Sequence, residues 1–134
     1  MNNKIILAMM LFAMFFIGLQ TAQPAAAATK IDQFTIYHMN GQSSDADVYK
    51  VYRYSLNHLY ITYTGYNWNS KTHKYMKTDF HSWIDLKKIT KTKVRTKEPQ
   101  IDGGYFYTYR YTTHSATYYY WNTLKYKIRH GLVF

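Results

Sequence analysis

Residues 105–112 read Tyr-Phe-Tyr-Thr-Tyr-Arg-Tyr-Thr, and this alternation constrains the fold more than any other feature of the chain. With period two, tyrosine occupies every position on one side, while Phe106, Thr108, Arg110 and Thr112 occupy the other. Strict alternation of aromatic and β-branched residues predicts a β-strand. We therefore expect much of the remaining chain to form strands that pair with this one.

Short segments of similar character recur along the chain, separated by residues that favour turns. Strands are predicted over residues 34–39, 48–54, 59–64, 72–78, 87–97, 105–112, 116–121 and 124–129. Residues 80–86 fit either a short strand or one helical turn. Residues 65–71 read as a polar loop, and residues 98–104 form a clear break with a proline and two glycines. Because no segment shows a sustained 3.6-residue period, the predicted fold class is all-β, a small antiparallel sandwich or barrel.

The N-terminus has the three parts of a secretory signal peptide. Lys4 precedes an apolar run over residues 5–19, and small residues follow at Ala25–Ala28. The run has about 15 residues, which is short for the roughly 20 that a membrane-spanning helix needs. We expect a cleavable signal over residues 1–28 and a single all-β domain over residues 29–134. The alternative is that this segment stays uncleaved as a membrane anchor. If it is cleaved, we expect no membrane span. The expected location is then extracellular, either free or associated with a cell wall.

Two parts of this domain resemble each other at a constant offset of 57 residues. Tyr52-Arg53-Tyr54 matches Tyr109-Arg110-Tyr111, and Asp45 matches Asp102. These matches suggest a weak internal duplication of about residues 45–73 and 102–130. Chance is the alternative, because a tyrosine-rich chain produces such matches easily.

Composition limits the cellular context and the partner. The chain contains no cysteine, which in an exported protein suggests a bacterial source. Its formal net charge is +10, of which Lys4 alone lies in the predicted signal peptide, so the mature chain carries +9. Such an excess favours anionic partners, including wall polymers, acidic lipids and acidic glycans. Export makes nucleic acid an unlikely partner, and charge that serves only solubility is the alternative.

The chain lacks a recognisable arrangement of catalytic or metal-binding residues. Its six histidines form no H-x-x-x-H or H-E-x-x-H motif. His114 and Ser115 are adjacent, a spacing that does not place both side chains together on a strand. Gly103 and Gly104 precede a strand and therefore indicate a turn or bulge, whereas a phosphate-binding loop would lead into a helix. We expect no enzyme activity, no cofactor and no metal site.

The most informative charged segment is residues 87–97, which contains six cations and no acid. As a strand it would place Lys91, Lys93, Arg95 and Lys97 on one face. One interpretation is a strip that binds anions, with Lys88 contributing at its start. The other is an edge strand whose lysines prevent pairing with other sheets.

The predicted loop at residues 65–71 contains Tyr66 and Trp68 among glycine, asparagine and serine. A tryptophan in a polar loop has no obvious packing role, and exposed aromatic rings suit sugars, bases and lipid interfaces. We therefore predict ligand contact here as well. The predicted binding residues are Lys88, Lys91, Lys93, Arg95, Lys97, Tyr66 and Trp68.

Thr113-His114-Ser115-Ala116-Thr117, which follows Tyr109-Arg110-Tyr111, resembles a short stretch of the lactococcin-type secreted β-sandwich bacteriocins. The resemblance spans about five to ten residues and implies an antibacterial role directed at a cell-wall precursor. Our main hypothesis is a secreted, non-enzymatic protein that binds an anionic or carbohydrate polymer of a cell envelope. The alternatives are a bacteriocin or toxin-like effector, and a module that binds or inhibits another protein through an exposed strand edge.

Overall fold

The computed structural model describes residues 28–38 and 44–132, and these residues form one antiparallel sheet covered on one face by a helix. Each strand pairs with the next along the chain, in the order β1 to β6. The strands are β1 (Thr29–Tyr37), β2 (Ala46–Ser55), β3 (His58–Asn69), β4 (Lys74–Thr90), β5 (Lys93–Pro99) and β6 (Tyr105–Tyr111). The expectation of a mainly β protein is thus confirmed.

The sheet is open, with β1 and β6 at its two edges. The described residues therefore form neither the sandwich nor the barrel that the strand pattern predicted. Apart from Ala28, the predicted signal peptide lies outside the described residues, as does Met39, the last residue of the predicted first strand. In the part of the chain that the structure describes, no helix has the length and apolarity required to cross a membrane.

Two predicted segments have other boundaries in the structure. The predicted loop at residues 65–71 is largely strand, and the predicted strand at residues 87–97 contains a turn. Residues 65–69 belong to β3, where Tyr66 pairs with Lys77 and Trp68 with Tyr75. The basic segment 87–97 is two strands, which a turn at Lys91 and Thr92 joins. Residues 80–86, left open between strand and helical turn, lie inside β4.

The two strands predicted at residues 116–121 and 124–129 are wrong, since this segment is helical. It consists of α1 (Ala116–Tyr119), a π-helical turn (Tyr120–Leu124) and α2 (Lys125–Arg129), which follow one another directly and which we call the C-terminal helix. Ser115 caps its start, because the Ser115 Oγ accepts a hydrogen bond from the Tyr118 N–H at 3.0 Å.

The C-terminal helix packs on one face of the sheet, which we call the inner face, and this contact forms the core. Because side chains of a strand alternate between faces, apolar residues on the inner side of β1 to β5 form one cluster with the helix. The sheet contributes Phe34, Val51, Leu59, Ile61, Ile84, Leu86 and Val94, and the helix contributes Ala116, Tyr119, Tyr120, Leu124 and Ile128. The opposite, outer face has no helix over it among the described residues.

The two segments of the suggested duplication adopt different structures. Residues 46–69 form the hairpin of β2 and β3, whereas residues 105–129 form β6 and the C-terminal helix. The duplication itself stays a prediction from the sequence.

Candidate anion-binding face

The outer face of β5 and β6 brings a row of cations beside a row of tyrosines. The strand register pairs Lys93 with Tyr111, Arg95 with Tyr109 and Lys97 with Tyr107. Lys87 of β4 extends the same face, because it pairs with Arg95 across the β4–β5 ladder. We call this set of side chains the basic tyrosine face, and its members are Lys87, Lys93, Arg95, Lys97, Tyr105, Tyr107, Tyr109 and Tyr111.

The cations of β5 lie over tyrosine rings of β6. Lys97 Nζ is 4.2 Å from the centroid of the Tyr105 ring. The Arg95 guanidinium carbon lies 5.6 Å from the Tyr107 ring, and Lys93 Nζ lies 5.8 Å from the Tyr109 ring. Cation–π attraction therefore holds the charged groups on the sheet surface, where the tyrosines remain between 42% and 77% exposed. The face thus presents positive charge and flat aromatic surface together.

A single carboxylate contacts this face within the described residues. Asp85 Oδ2 accepts a hydrogen bond from Arg95 Nη2 at 3.2 Å, and Asp85 Oδ1 lies 2.6 Å from His58 Nε2. Arg95 Nε is buried and has no acceptor among the described residues. No carboxylate pairs with Lys87, Lys93 or Lys97 in this part of the chain, so most of the positive charge of the face stays available.

Further aromatic rings continue the face across β4 and β3. The Trp83 ring lies 5.9 Å from Tyr105 and 5.7 Å from Tyr60. Burial raises the pKa of Tyr60 above its ordinary value, so this hydroxyl stays neutral at physiological pH. Sequence reasoning missed these rings and the β6 tyrosines as site residues. The available signal was the glycine-rich break at residues 100–104. Such a break predicts a hairpin, which would pair the basic segment before it with the tyrosine segment after it.

Two of the predicted lysines lie away from this face. Lys91 is in the turn between β4 and β5, and it is exposed. Lys88 pairs with Val94, whose side chain is buried on the inner face, and its Nζ donates a hydrogen bond to the carbonyl of His114. Lys88 therefore tethers the loop before the C-terminal helix. Of the predicted basic residues, the structure brings together Lys93, Arg95 and Lys97.

The position of β5 in the sheet excludes one of the two interpretations of its cations. Protection of a sheet edge was one interpretation, but β5 lies between β4 and β6 and pairs with both. A strand in this position has no free edge to protect. The edge interpretation is therefore wrong for Lys93, Arg95 and Lys97.

The predicted aromatic contacts, Tyr66 and Trp68, lie at the other end of the sheet. Trp68 packs against Tyr75 with ring centroids 5.1 Å apart, and the backbone N–H of Trp68 donates to Asp45 Oδ2 at 2.8 Å. Tyr75 and Asp85 are ten residues apart on β4, a distance of about 30 Å along an extended strand. The structure therefore does not bring Tyr66 and Trp68 together with the cations of β5.

A histidine–carboxylate–serine cluster could suggest acid–base chemistry, but its three groups stand in a different order from those of a serine hydrolase. His38 Nε2 lies 2.8 Å from Asp47 Oδ2, and the Ser44 hydroxyl donates to Asp47 Oδ1 at 2.8 Å. In a serine hydrolase the histidine contacts the serine, whereas here the carboxylate lies between them and Ser44 is buried. Among the described residues, no group of three or more histidine, aspartate or glutamate side chains could hold a metal ion.

Comparison with known proteins adds no relative, because no family model, curated protein or solved structure matches the chain.

Proposed function

We propose that the chain is a secreted, non-enzymatic protein that binds an anionic glycan or wall polymer of a cell envelope through its basic tyrosine face. The observation that carries the proposal is the register of β5 and β6, which sets alternating cations against alternating exposed tyrosines. Residues two apart on a strand are about 7 Å apart. A regular row of charges at this spacing suits a polymer with repeated negative groups better than one small anion.

The electrostatic binding energy alone is small, which argues that the tyrosines also contact the polymer. The three cations of this face that have no carboxylate partner among the described residues contribute about 3 kcal/mol near an anionic surface, which corresponds to a dissociation constant of roughly 6 mM. Ring contacts of the kind that hold bases add about 1–3 kcal/mol each, and sugar rings present a similar flat surface. Charge and stacking together therefore favour a negatively charged glycan over a polyanion that has no rings.

Cosedimentation with purified bacterial cell walls tests this proposal. Walls that retain their anionic polymers are compared with walls from which acid treatment has removed them. We expect the purified chain to bind the intact walls at low salt and to be released at high salt, because salt screens exposed charges. Binding that is equal on both wall preparations would contradict the proposal, and binding that is indifferent to salt would point to a protein partner.

Matched variants assign the binding to this face. Lys93→Gln combined with Lys97→Gln removes about 2 kcal/mol of charge interaction, so binding should weaken by roughly 30-fold. Tyr105→Thr combined with Tyr109→Thr keeps strand propensity and charge but removes two rings, and it should also weaken binding.

The control for the lysine variant is Lys74→Gln combined with Lys77→Gln, which removes the same charge from exposed positions at the far end of the sheet. If the control weakens binding as much as the first variant, the proposed face is wrong.

A further inference from the structure

The outer edge of β6 offers backbone groups to another strand. Within the described residues, β6 pairs with β5 on one side and with no strand on the other. The Thr112 N–H donates to the Thr92 carbonyl at 2.9 Å, which shows that even-numbered residues point their backbone groups toward β5. Because this direction alternates along a strand, the N–H and C=O groups of the four β6 tyrosines point to the free edge. One of these carbonyls, that of Tyr109, accepts a hydrogen bond from Arg110 Nη1 at 2.9 Å.

The two edges of the sheet differ in how they resist pairing. In β1 the register shifts between Lys30 and Asp32, which places a bulge and two charges at that edge. The register of β6 with β5 is continuous, and β6 contains neither lysine nor proline. Bulges, lysine and proline are the common devices that keep an edge strand from pairing. The β6 edge lacks all three.

We propose that β6 pairs with β6 of a second copy of this chain, antiparallel and centred on Thr108. In this register Tyr107 lies opposite Tyr109 of the second copy, and Tyr105 lies opposite Tyr111. These are the residues whose backbone groups point outward, so the pairing forms up to about eight hydrogen bonds. Facing tyrosines on adjacent strands also attract each other. The proposal stands on the strand edge and does not depend on the proposed ligand.

Charge on β6 is compatible with a second copy as the partner. Arg110 is the only charged residue of this strand, and the symmetric register places it opposite Phe106 of the second copy. A cation beside an aromatic ring is favourable, whereas two arginines in direct opposition would repel. The two-fold axis also keeps both basic tyrosine faces on the same side of one continuous sheet. A bound polymer would then contact two cation rows.

A single cysteine tests the register directly, because the native chain has none. Thr108 would face Thr108 of the second copy in a non-hydrogen-bonded pair, with the Cα atoms about 4.5 Å apart. This separation lies within the range of about 4.4–6.8 Å that a disulfide requires. Thr108→Cys should therefore form a covalent dimer under mild oxidation. Phe106→Cys, which faces Arg110 of the second copy, should form no covalent dimer under the same conditions. Equal cross-linking of both variants, or of neither, would overturn the proposal.

Sedimentation velocity of the unmodified chain provides a test without cysteine. Dimer should increase with protein concentration, and also with salt, because screening reduces repulsion between two chains that each carry a large positive charge. Tyr107→Pro removes an outward N–H without removing a bond to β5 and should give a monomer. Tyr107→Thr keeps the N–H and should still dimerise. A chain that is monomeric at every concentration and salt level contradicts the proposal.

These measurements separate this proposal from the proposed function. High salt should strengthen the dimer and release the wall polymer, so the two predictions respond in opposite directions. Lys93→Gln combined with Lys97→Gln should lose polymer binding and keep the dimer. If this variant instead loses the dimer, the edge assignment is wrong even where polymer binding is confirmed.

Discussion

Asp32 shows how a single residue ties the sheet to the C-terminal helix. Its Oδ2 accepts a hydrogen bond from the hydroxyl of Tyr120 at 2.7 Å and lies 2.8 Å from Lys125 Nζ. Partial burial by itself would raise the pKa of Asp32. The hydrogen bonds from Lys125 and Tyr120, the charge of Lys125 and the backbone N–H of Gln33 outweigh burial and hold the pKa below its ordinary value.

A lowered pKa in the folded state makes the ionised form of Asp32 stabilising. The contribution is present above the ordinary carboxyl pKa and is lost as the pH falls through the lower, folded value. Asp32→Asn should therefore reduce the free energy of unfolding by about 1–3 kcal/mol at pH 7, because it weakens a charged hydrogen-bond network. In urea titrations the difference from the native chain should shrink in strong acid. Asp102→Asn, in the exposed turn before β6, is the control and should change little. A deficit for Asp32→Asn that persists unchanged in strong acid would contradict the assigned role.

At the scale of the element, the C-terminal helix is where local pattern and structure disagree. Five of the 19 tyrosines and tryptophans of the chain fall in residues 118–121 and 126, and such residues favour strands. The buried positions are nevertheless Ala116, Tyr119, Tyr120, Leu124 and Ile128, which have helical spacing. That spacing was present in the sequence and was the signal for a helix. Tertiary context explains the choice, because a helix can cover the apolar inner face of the sheet.

Replacement of the cap residue tests whether this segment is helical in solution. Ser115→Ala removes the acceptor for the Tyr118 N–H and should lower the free energy of unfolding by about 1 kcal/mol. Ser115→Asp supplies a new acceptor and a favourable negative charge at the helix start, so it should retain stability. Thermal unfolding followed by circular dichroism measures both. Equal effects of alanine and aspartate would indicate that Ser115 does not act as a cap.

At the scale of the whole molecule, the sheet depends on the helix that covers it. Val51, Leu59, Ile61, Ile84 and Leu86 are buried between them, with exposed fractions of at most 2%. The start of the helix is also fixed to the β2–β3 turn, because the Thr117 hydroxyl donates to the Leu56 carbonyl at 2.7 Å. Loss of the helix would expose a continuous apolar surface to water.

A chain that stops after Thr112 should therefore not fold to the native state. Each square ångström of apolar surface that returns to water destabilises the folded state by about 25 cal/mol. Summed over the inner face, this cost exceeds the free energy of unfolding of a small domain. We expect collapsed or aggregated material with poor dispersion of amide signals in NMR spectra. Adding the missing segment back as a separate peptide is the control and should restore dispersion. A truncated chain with native-like dispersion would show that the sheet is stable alone.

Most strands could be predicted from sequence because alternation and turn residues are local properties. Residues 48–54, 59–64 and 105–111 lie in strands as predicted, and the turn between β2 and β3 falls within residues 55–58. The candidate site was predicted in part, since Lys93, Arg95 and Lys97 share a face as period two requires. Lys88, Lys91, Tyr66 and Trp68 lie elsewhere, because a turn and a longer hairpin changed their positions.

What the sequence by itself determined is that this chain forms tyrosine-rich antiparallel strands with a basic segment among them, because side-chain alternation and turn chemistry act over a few residues. Only the tertiary structure decided that β5 is internal, that residues 116–129 are helical, and that the cations of β5 face the tyrosines of β6. These features depend on which surfaces meet, and the largest gain comes from burying the inner face of the sheet. The helix takes that face, and the other side of the sheet therefore leaves the basic tyrosine face exposed.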